Sequence, residues 1–419
     1  MKQLKPNLYR IIFTLVLGLA SCNSQQRSYL PIATPANETC IGSFADFAFT
    51  IPDINGAPQD IFFPQTPWEP VSVLPVGVDI YNQQVKAIRM VDNHVEIWTQ
   101  ANTPGLTPDQ YRFLVYRTDS KTWQEVPAKI QNSSRYVNNL YVTNDGLVWG
   151  SHREDSSSST IQLPPLSRFD DKTMQFEFVY NVSSIPDGQK QSNSDINSEV
   201  MWDQILIDSR GIFWFFVYKD AIYSYDPGTQ KVESHATLAN YEIIQQINTS
   251  IDGSIYFVSY EGRDYNYLQD GQIYRFVPST GEITTIQTPH EHWPAFERIL
   301  LDQSNRLWLD IFGWRNPDGT WEVFHPQLAS FIRENANRSL WRWFIPPQVF
   351  FESSDGRIWF RINRSSDSKN VRSGIAWFNP KTKTGCWFTS EGANILEDEN
   401  HSLWMMIDGQ LYRHPLNVQ

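Results

Sequence analysis

The chain has 419 residues, 41% hydrophobic, 14% aromatic and only 19% charged, which excludes a disordered chain and leaves ample material for a large core. Its 34 Lys and Arg stand against 46 Asp and Glu, and without Lys2, Lys5 and Arg10 the net charge falls from −12 to −15. A balance that acidic argues against nucleic acid or an anionic bilayer surface as partner, since each calls for a basic face.

The N-terminus carries a positive region (Lys2, Lys5, Arg10), an apolar run from Ile11 to Ala20, and small residues before Cys22. That run is too short for a membrane-spanning helix and fits a secretory leader. Leu19-Ala20-Ser21-Cys22 resembles the bacterial lipobox, which implies a leader over residues 1–21 and acylation of Cys22. Residues 22–59 follow as a tether and N-terminal extension, rich in Ser, Gln, Asn and Pro at its start. The expected location is the bacterial cell envelope, outside the cytoplasm, with the lipid as the only membrane contact. Two further cysteines, Cys40 and Cys386, form an even pair in an exported chain, so a disulfide between them is a hypothesis.

From residue 60 to 419 one pattern recurs. An apolar run, a polar turn and a branched apolar residue lead to an aromatic at Trp98, Trp149, Trp214, Tyr256, Trp308, Trp359 and Trp404, at spacings of 51, 65, 42, 52, 51 and 45 residues. Asp92, Asp208, Asp302 and Asp398 sit six residues before their aromatic, whereas Asp145-Gly146, Asp252-Gly253 and Asp355-Gly356 begin four before theirs. Both variants suit a tight hairpin turn, because Asp bonds its own backbone and Gly tolerates a positive φ. A second hairpin follows most copies, as in Ile222 to Pro227, Ile273 to Pro278 and Ile375 to Pro380. A last strand, often opened by Trp as at Trp123, Trp321 and Trp387, completes the unit.

Four antiparallel strands in about 50 residues is the size of a propeller blade. The spacing therefore predicts an all-β, seven-bladed β-propeller. The seventh unit ends before a fourth strand, and Trp68 to Val73 matches the Trp-opened last strands, so this N-terminal strand is expected to close the last blade. Cys40, in the segment before it, is then expected to approach blade seven, beside Cys386 at the start of the last strand of blade six.

The motif Asp-x-x-Gly-x-[Leu/Ile]-Trp with its Tyr-x-[Tyr/Phe]-Asp-Pro hairpin resembles the two-component regulator propeller repeat. It is also similar to streptogramin-lyase-like propellers. The resemblance covers nearly all of residues 68–419 and implies a sensor-type ring, but no kinase part accompanies it here. Such a ring must hand its result to another protein or act where it stands.

The connections between repeats supply the candidate site, because loops on a rigid scaffold carry function. His152 and Arg153 follow the second strand of unit two, and Tyr260 and Arg263 that of unit four. Trp314, Arg315 and Arg361 are read in the same place in units five and six, while Trp202, Trp341 and the run His290, His292, Trp293 with Arg298 lead into later units. Aromatic faces beside arginines suit a polar small molecule, a glycan or a peptide, and an envelope protein is the other expected partner. Solvated loops explain the same residues equally well. No nucleophile motif, cofactor signature or metal-ligand spacing stands out, so no cofactor, metal or catalytic residue is assigned and a monomer is expected. The functional expectation is a binding or sensing module; an extracytoplasmic lyase or hydrolase acting at the loop face is the alternative.

Overall fold

The computed structural model describes residues 39–41, 68–75, 85–101, 111–152, 166–180, 205–216, 221–238, 243–260, 272–288, 298–310, 313–323, 348–362, 374–382, 384–389, 395–407 and 409–416. Among them every regular element is a β-strand. After β1 (Thr39–Ile41) and β2 (Glu69–Val73), blade one contains β3 (Val85–Val91), β4 (His94–Ala101), β5 (Arg112–Arg117) and β6 (Thr122–Pro127). Blade two has β7 (Asn139–Val142), β8 (Val148–Ser151), β9 (Leu166–Asp170) and β10 (Gln175–Tyr180). Blade three has β11 (Ile205–Ile207), β12 (Phe213–Phe216), β13 (Ala221–Asp226) and β14 (Lys231–Thr237). Blade four has β15 (Ile243–Thr249), β16 (Ile255–Tyr260), β17 (Gln272–Val277) and β18 (Glu282–Ile286). Blade five has β19 (Ile299–Leu301), β20 (Leu307–Leu309), β21 (Gly313–Arg315) and β22 (Trp321–Val323). Blade six has β23 (Gln348–Glu352), β24 (Ile358–Ile362), β25 (Gly374–Asn379) and β26 (Thr384–Thr389). Blade seven takes β27 (Ile395–Glu397), β28 (Ser402–Ile407) and β29 (Gln410–Pro415) from the C-terminus, and β2 is its fourth strand.

This is the closed, seven-bladed propeller that the repeats predict. Residues 69–73 pair antiparallel with β29, Glu69 opposite Arg413 and Val73 opposite Gln410. The Trp123 indole N–H, on the outer strand of blade one, donates to the Ser72 hydroxyl at 2.9 Å and ties the closing strand to the next blade. Trp321 bridges to the Gln287 carbonyl of blade four in the same manner.

Position in the blade explains the pattern of apolar residues. Second strands lie mid-sheet and are packed on both faces by neighbouring blades, so β8, β12 and β20 are buried at every position. Outer strands stay wetter, as in the Glu282–Ile286 strand, where every residue is exposed or half-buried. The anchors Trp98, Trp149, Trp214, Trp308, Trp359 and Trp404 are each no more than 2% exposed.

The turn residues follow a rule finer than the sequence pattern. Asp208, Asp302 and Asp398 each accept the indole N–H of their own anchor Trp through Oδ2, at 3.1, 2.8 and 2.7 Å. Their Oδ1 atoms cap backbone N–H groups within the turn. Where the Asp comes later, a hydroxyl stands in its place. Thr143, Ser250 and Ser353 donate to Asp145, Asp252 and Asp355, and Ser353 Oγ accepts the Trp359 indole N–H at 3.0 Å. Asp92 departs from both, lying with Asn93 at positive φ (43° and 71°) in the hairpin tip of blade one.

The strand holding Cys40 corrects the expected path of the N-terminal segment. Cys40 was expected to approach blade seven beside Cys386 of blade six. Instead β1 joins blade six itself, as a fifth strand on its outer edge.

Candidate functional site

Antiparallel strands divide the ring into two rims. First-to-second and third-to-fourth strand turns share one rim, and the remaining connections share the other. The turn rim is built from capped aspartates. Besides those above, Asp170, Asp226 and Asp318 bond amides or hydroxyls of their own turns. These bonds hold the carboxyls of Asp170, Asp226 and Asp318 below the usual carboxylate range, led by the Lys172 amide, the Thr229 hydroxyl and the Thr320 hydroxyl respectively. Their oxygens are committed to protein donors. Among the described residues, no three His, Cys, Asp or Glu side chains gather as a metal set.

Carboxylates also join the blades at this rim. Glu352, at the end of β23, accepts the Gln303 amide of blade five, and Glu397, at the end of β27, accepts the Ser354 amide of blade six at 2.7 Å. A cavity of about 370 Å³ opens beside Glu352, walled by Thr249, Ile251, Leu300, Phe350 and Phe351. Burial pushes the Glu352 carboxyl up to about 7. Nothing in the sequence pattern pointed to this cavity, because it forms between the ends of three innermost strands.

The opposite rim carries four of the candidates that the sequence singled out and the structure describes. His152 and Tyr260 stand where second strands end, Arg298 stands just before a first strand, and Arg361 lies near the end of β24. The backbones of Arg298 and Arg361 both border the joint between blades five and six. Asp310, fully buried with φ of 40°, holds that joint. Its Oδ2 accepts the Arg298 amide and its Oδ1 the Val349 amide, both at 3.3 Å. Arg361 is paired in register with buried Gln348, and its guanidinium lies 5.3 Å from the Phe350 ring centroid. Burial, and secondarily the charge of Arg298, push the Arg361 guanidinium down to about 10. It therefore stays charged at neutral pH. The two guanidinium charges share this joint with the buried carboxylate of Asp310.

His152 is 1% exposed, and neither ring nitrogen has a hydrogen-bond partner among the described residues. Burial, helped by the charge of Arg135, lowers its pKa to about 3, so the ring is neutral at physiological pH. The Phe178 ring lies 5.5 Å away.

Two sequence candidates move out of the site. Trp314 was read as a loop residue after the second strand of unit five, but it lies in β21, 2% exposed, with its ring 4.6 Å from that of Trp308. Its indole N–H donates to Asn316 Oδ1 at 3.0 Å. Arg315 follows it into the strand and faces the turn rim, where its charge acts on Asp318. The third strand begins early here because Gly313 (φ 149°) permits it: a Cβ at that position would lie 2.1 Å from the Glu322 carbonyl oxygen. Arg153, Trp202, Arg263, His290, His292, Trp293, Trp341 and Cys22 lie outside the described residues. The side chains of Tyr260, Cys40 and Cys386 also lie outside them.

No family model and no curated protein matches the chain. Solved structures do resemble it. A catalytically inactive virginiamycin B lyase from Staphylococcus aureus, determined with quinupristin, is 14% identical, covers 82% of this chain and 98% of its own, and gives a TM-score of 0.47. YCF48 bound to a D1 peptide is 12% identical, with coverage of 85% and 97% and a TM-score of 0.46. PorZ, a surface component of the type-IX secretion system of Porphyromonas gingivalis, is 12% identical over 81% of this chain and 48% of its own, also at 0.46. Likeness at this level concerns fold alone. It assigns no activity.

Proposed function

We propose that the protein is an extracytoplasmic binding module, tethered by a lipid on Cys22, whose rim opposite the turns takes a polar ligand bearing a carboxylate. Residues 1–21 would be removed as leader, 22–59 would span the distance from the membrane, and 60–419 would hold the ring. The observation that carries the reading is the joint of blades five and six, where Asp310 bonds the Arg298 and Val349 amides and Arg361 lies in register opposite Gln348, beside Val349. Guanidinium groups bind carboxylates by charge-assisted, often bidentate bonds, and partial burial strengthens them. The connection entering blade five contains His290, His292 and Trp293 in the sequence, a polar and aromatic surround that suits a glycan or peptide.

Calorimetric titration with uronic-acid oligosaccharides, their neutral counterparts and acidic peptides tests the reading and tells the two carboxylate sources apart. Arg298→Gln and Arg361→Gln are each expected to weaken the binding of an acidic probe by about 10-fold or more, the effect of losing one charged hydrogen bond. Equal affinity in both variants and the wild type would refute the site. Loss of metabolic palmitate labelling in Cys22→Ser is the expected result for the tether, and retained labelling would remove it.

A further inference from the structure

We infer that Cys40 and Cys386 form a disulfide that fastens the N-terminal segment to the outer edge of blade six, next to the blade where the ring closes. The chain has only three cysteines, and Cys22 is accounted for by the lipid in the reading above. The backbone places the other two directly opposite one another: β1 pairs antiparallel with β26, Thr39 against Trp387, Cys40 against Cys386 and Ile41 against Gly385. Directly opposed residues of an antiparallel pair share one face of the sheet, with Cα atoms about 4.5 or 5.5 Å apart. Both separations fall inside the range of about 4.4–6.8 Å that a disulfide spans. A shift of one residue in this register would put the two cysteines on opposite faces, so the pairing is specific.

The location gives the bond a task. Blade seven is assembled from both ends of the chain, β2 from the N-terminal side and β27 to β29 from the C-terminal side. Cys40 precedes β2 and Cys386 precedes β27, so the bond joins the two runs of chain just before they meet. Release of the closing strand would then no longer free the N-terminal segment, and re-closure becomes a local event with a high effective concentration. The β1 strand also covers the edge of blade six, and the bond would keep it there.

In forming, two S–H bonds break and one S–S bond is made. The two protons and two electrons pass to a disulfide oxidant, such as oxidised glutathione or a dithiol oxidoreductase, which leaves as two thiols. That the bond exists in the cell rests on the exported location proposed above, because cytosolic thiols stay reduced. The register does not depend on that location, so the test has two arms.

In the first arm, full-length Cys22→Ser protein is equilibrated with oxidised glutathione, denatured, alkylated and mapped by mass spectrometry before and after reduction. The expected result is no alkylation before reduction, two labels after it, and a proteolytic peptide linking Cys40 to Cys386. Free thiols or two glutathione adducts overturn the inference. As a stability readout, Cys40→Ser, Cys386→Ser and the double variant should lower the oxidised protein's denaturation midpoint by the same amount. Additive losses would instead overturn the pairing. In the second arm, thiols are trapped with N-ethylmaleimide in intact cells. A bond that forms in the tube but is absent there overturns the exported location and leaves the paired site standing.

Discussion

Replacing Asp302 with Ala should be among the most damaging single changes in the ring, although the residue sits in a surface turn. Its carboxylate serves four donors at once. Oδ1 accepts the Ser304 and Arg306 amides at 2.9 and 2.8 Å, and Oδ2 accepts Arg306 Nε at 2.6 Å and the Trp308 indole at 2.8 Å. The Trp308 ring is fully buried, so its N–H would be stranded at a cost of about 1–3 kcal/mol. Arg306 lies over both Trp308 and Trp314, 5.6 and 5.9 Å from their ring centroids, and would lose the carboxylate that holds it there. With about 1 kcal/mol for the turn amides and about 1 kcal/mol for the half-buried ion pair, the loss comes to about 4 kcal/mol. Asp145 supplies the control, because its exposed carboxylate accepts the Thr143 hydroxyl and no indole. Asp145→Ala should cost about 1 kcal/mol. Urea unfolding followed by far-UV circular dichroism measures both. If Asp302→Ala loses no more than Asp145→Ala, the buried indole bond is not what makes the repeat aspartate matter.

Two further expectations test other parts of the ring. Gly313→Ala should destabilise blade five by about 3 kcal/mol or more, since the new Cβ would sit 2.1 Å from a backbone oxygen at a φ that side chains avoid; a thermal midpoint equal to the wild type would contradict that. Glu352→Gln should stabilise the protein at pH 8 and have little effect near pH 4. Burial raises the folded carboxyl to about 7, so its contribution is present below the unfolded value of about 4.5 and lost as pH rises through about 7. The neighbouring cavity admits water, which reduces the gain to about 1–2 kcal/mol, and glutamine keeps the acceptor for the Gln303 amide. Denaturant midpoints at the two pH values check it, and an equal gain at both would refute the sign.

The architecture was legible because each blade repeats one chemical requirement. A second strand packed on both faces needs an aromatic there, and the hairpin before it needs a turn residue. Those two needs marked all seven units, and the incomplete last unit then called for Trp68 to Val73. The Ser and Thr hydroxyls that stand at the Asp208-type position were not legible, because their bonds to the turn aspartates, and that of Ser353 to the indole N–H, show only once the turn is built. Trp314 was misread for a related reason. Loop and strand differ there by the φ of one glycine, which sequence spacing does not report. Of the candidate site, the positions of Arg298 and Arg361 relative to the strands were read from the repeats, but their shared place at one joint needed the packing of blade five against blade six. The Asp310 joint and the Glu352 cavity went unseen, since each is assembled from strands far apart in sequence.

The two rims of the ring differ in how their described carboxylates are used. On the turn rim nearly every described aspartate caps its own turn, and Glu352 and Glu397 accept amides from the preceding blade. Such oxygens have little left to offer a ligand. On the other rim Asp310 accepts two amides across the joint of blades five and six, and the charge of Arg298 helps to lower the Arg361 pKa. His152 is held neutral there, with both ring nitrogens unbonded among the described residues. Burying an imidazole with no partner among the described residues costs stability, so packing alone does not account for His152. In the reading proposed above, an anionic group arriving on that rim would meet the charges of Arg298 and Arg361 and, farther round the ring, the neutral imidazole of His152.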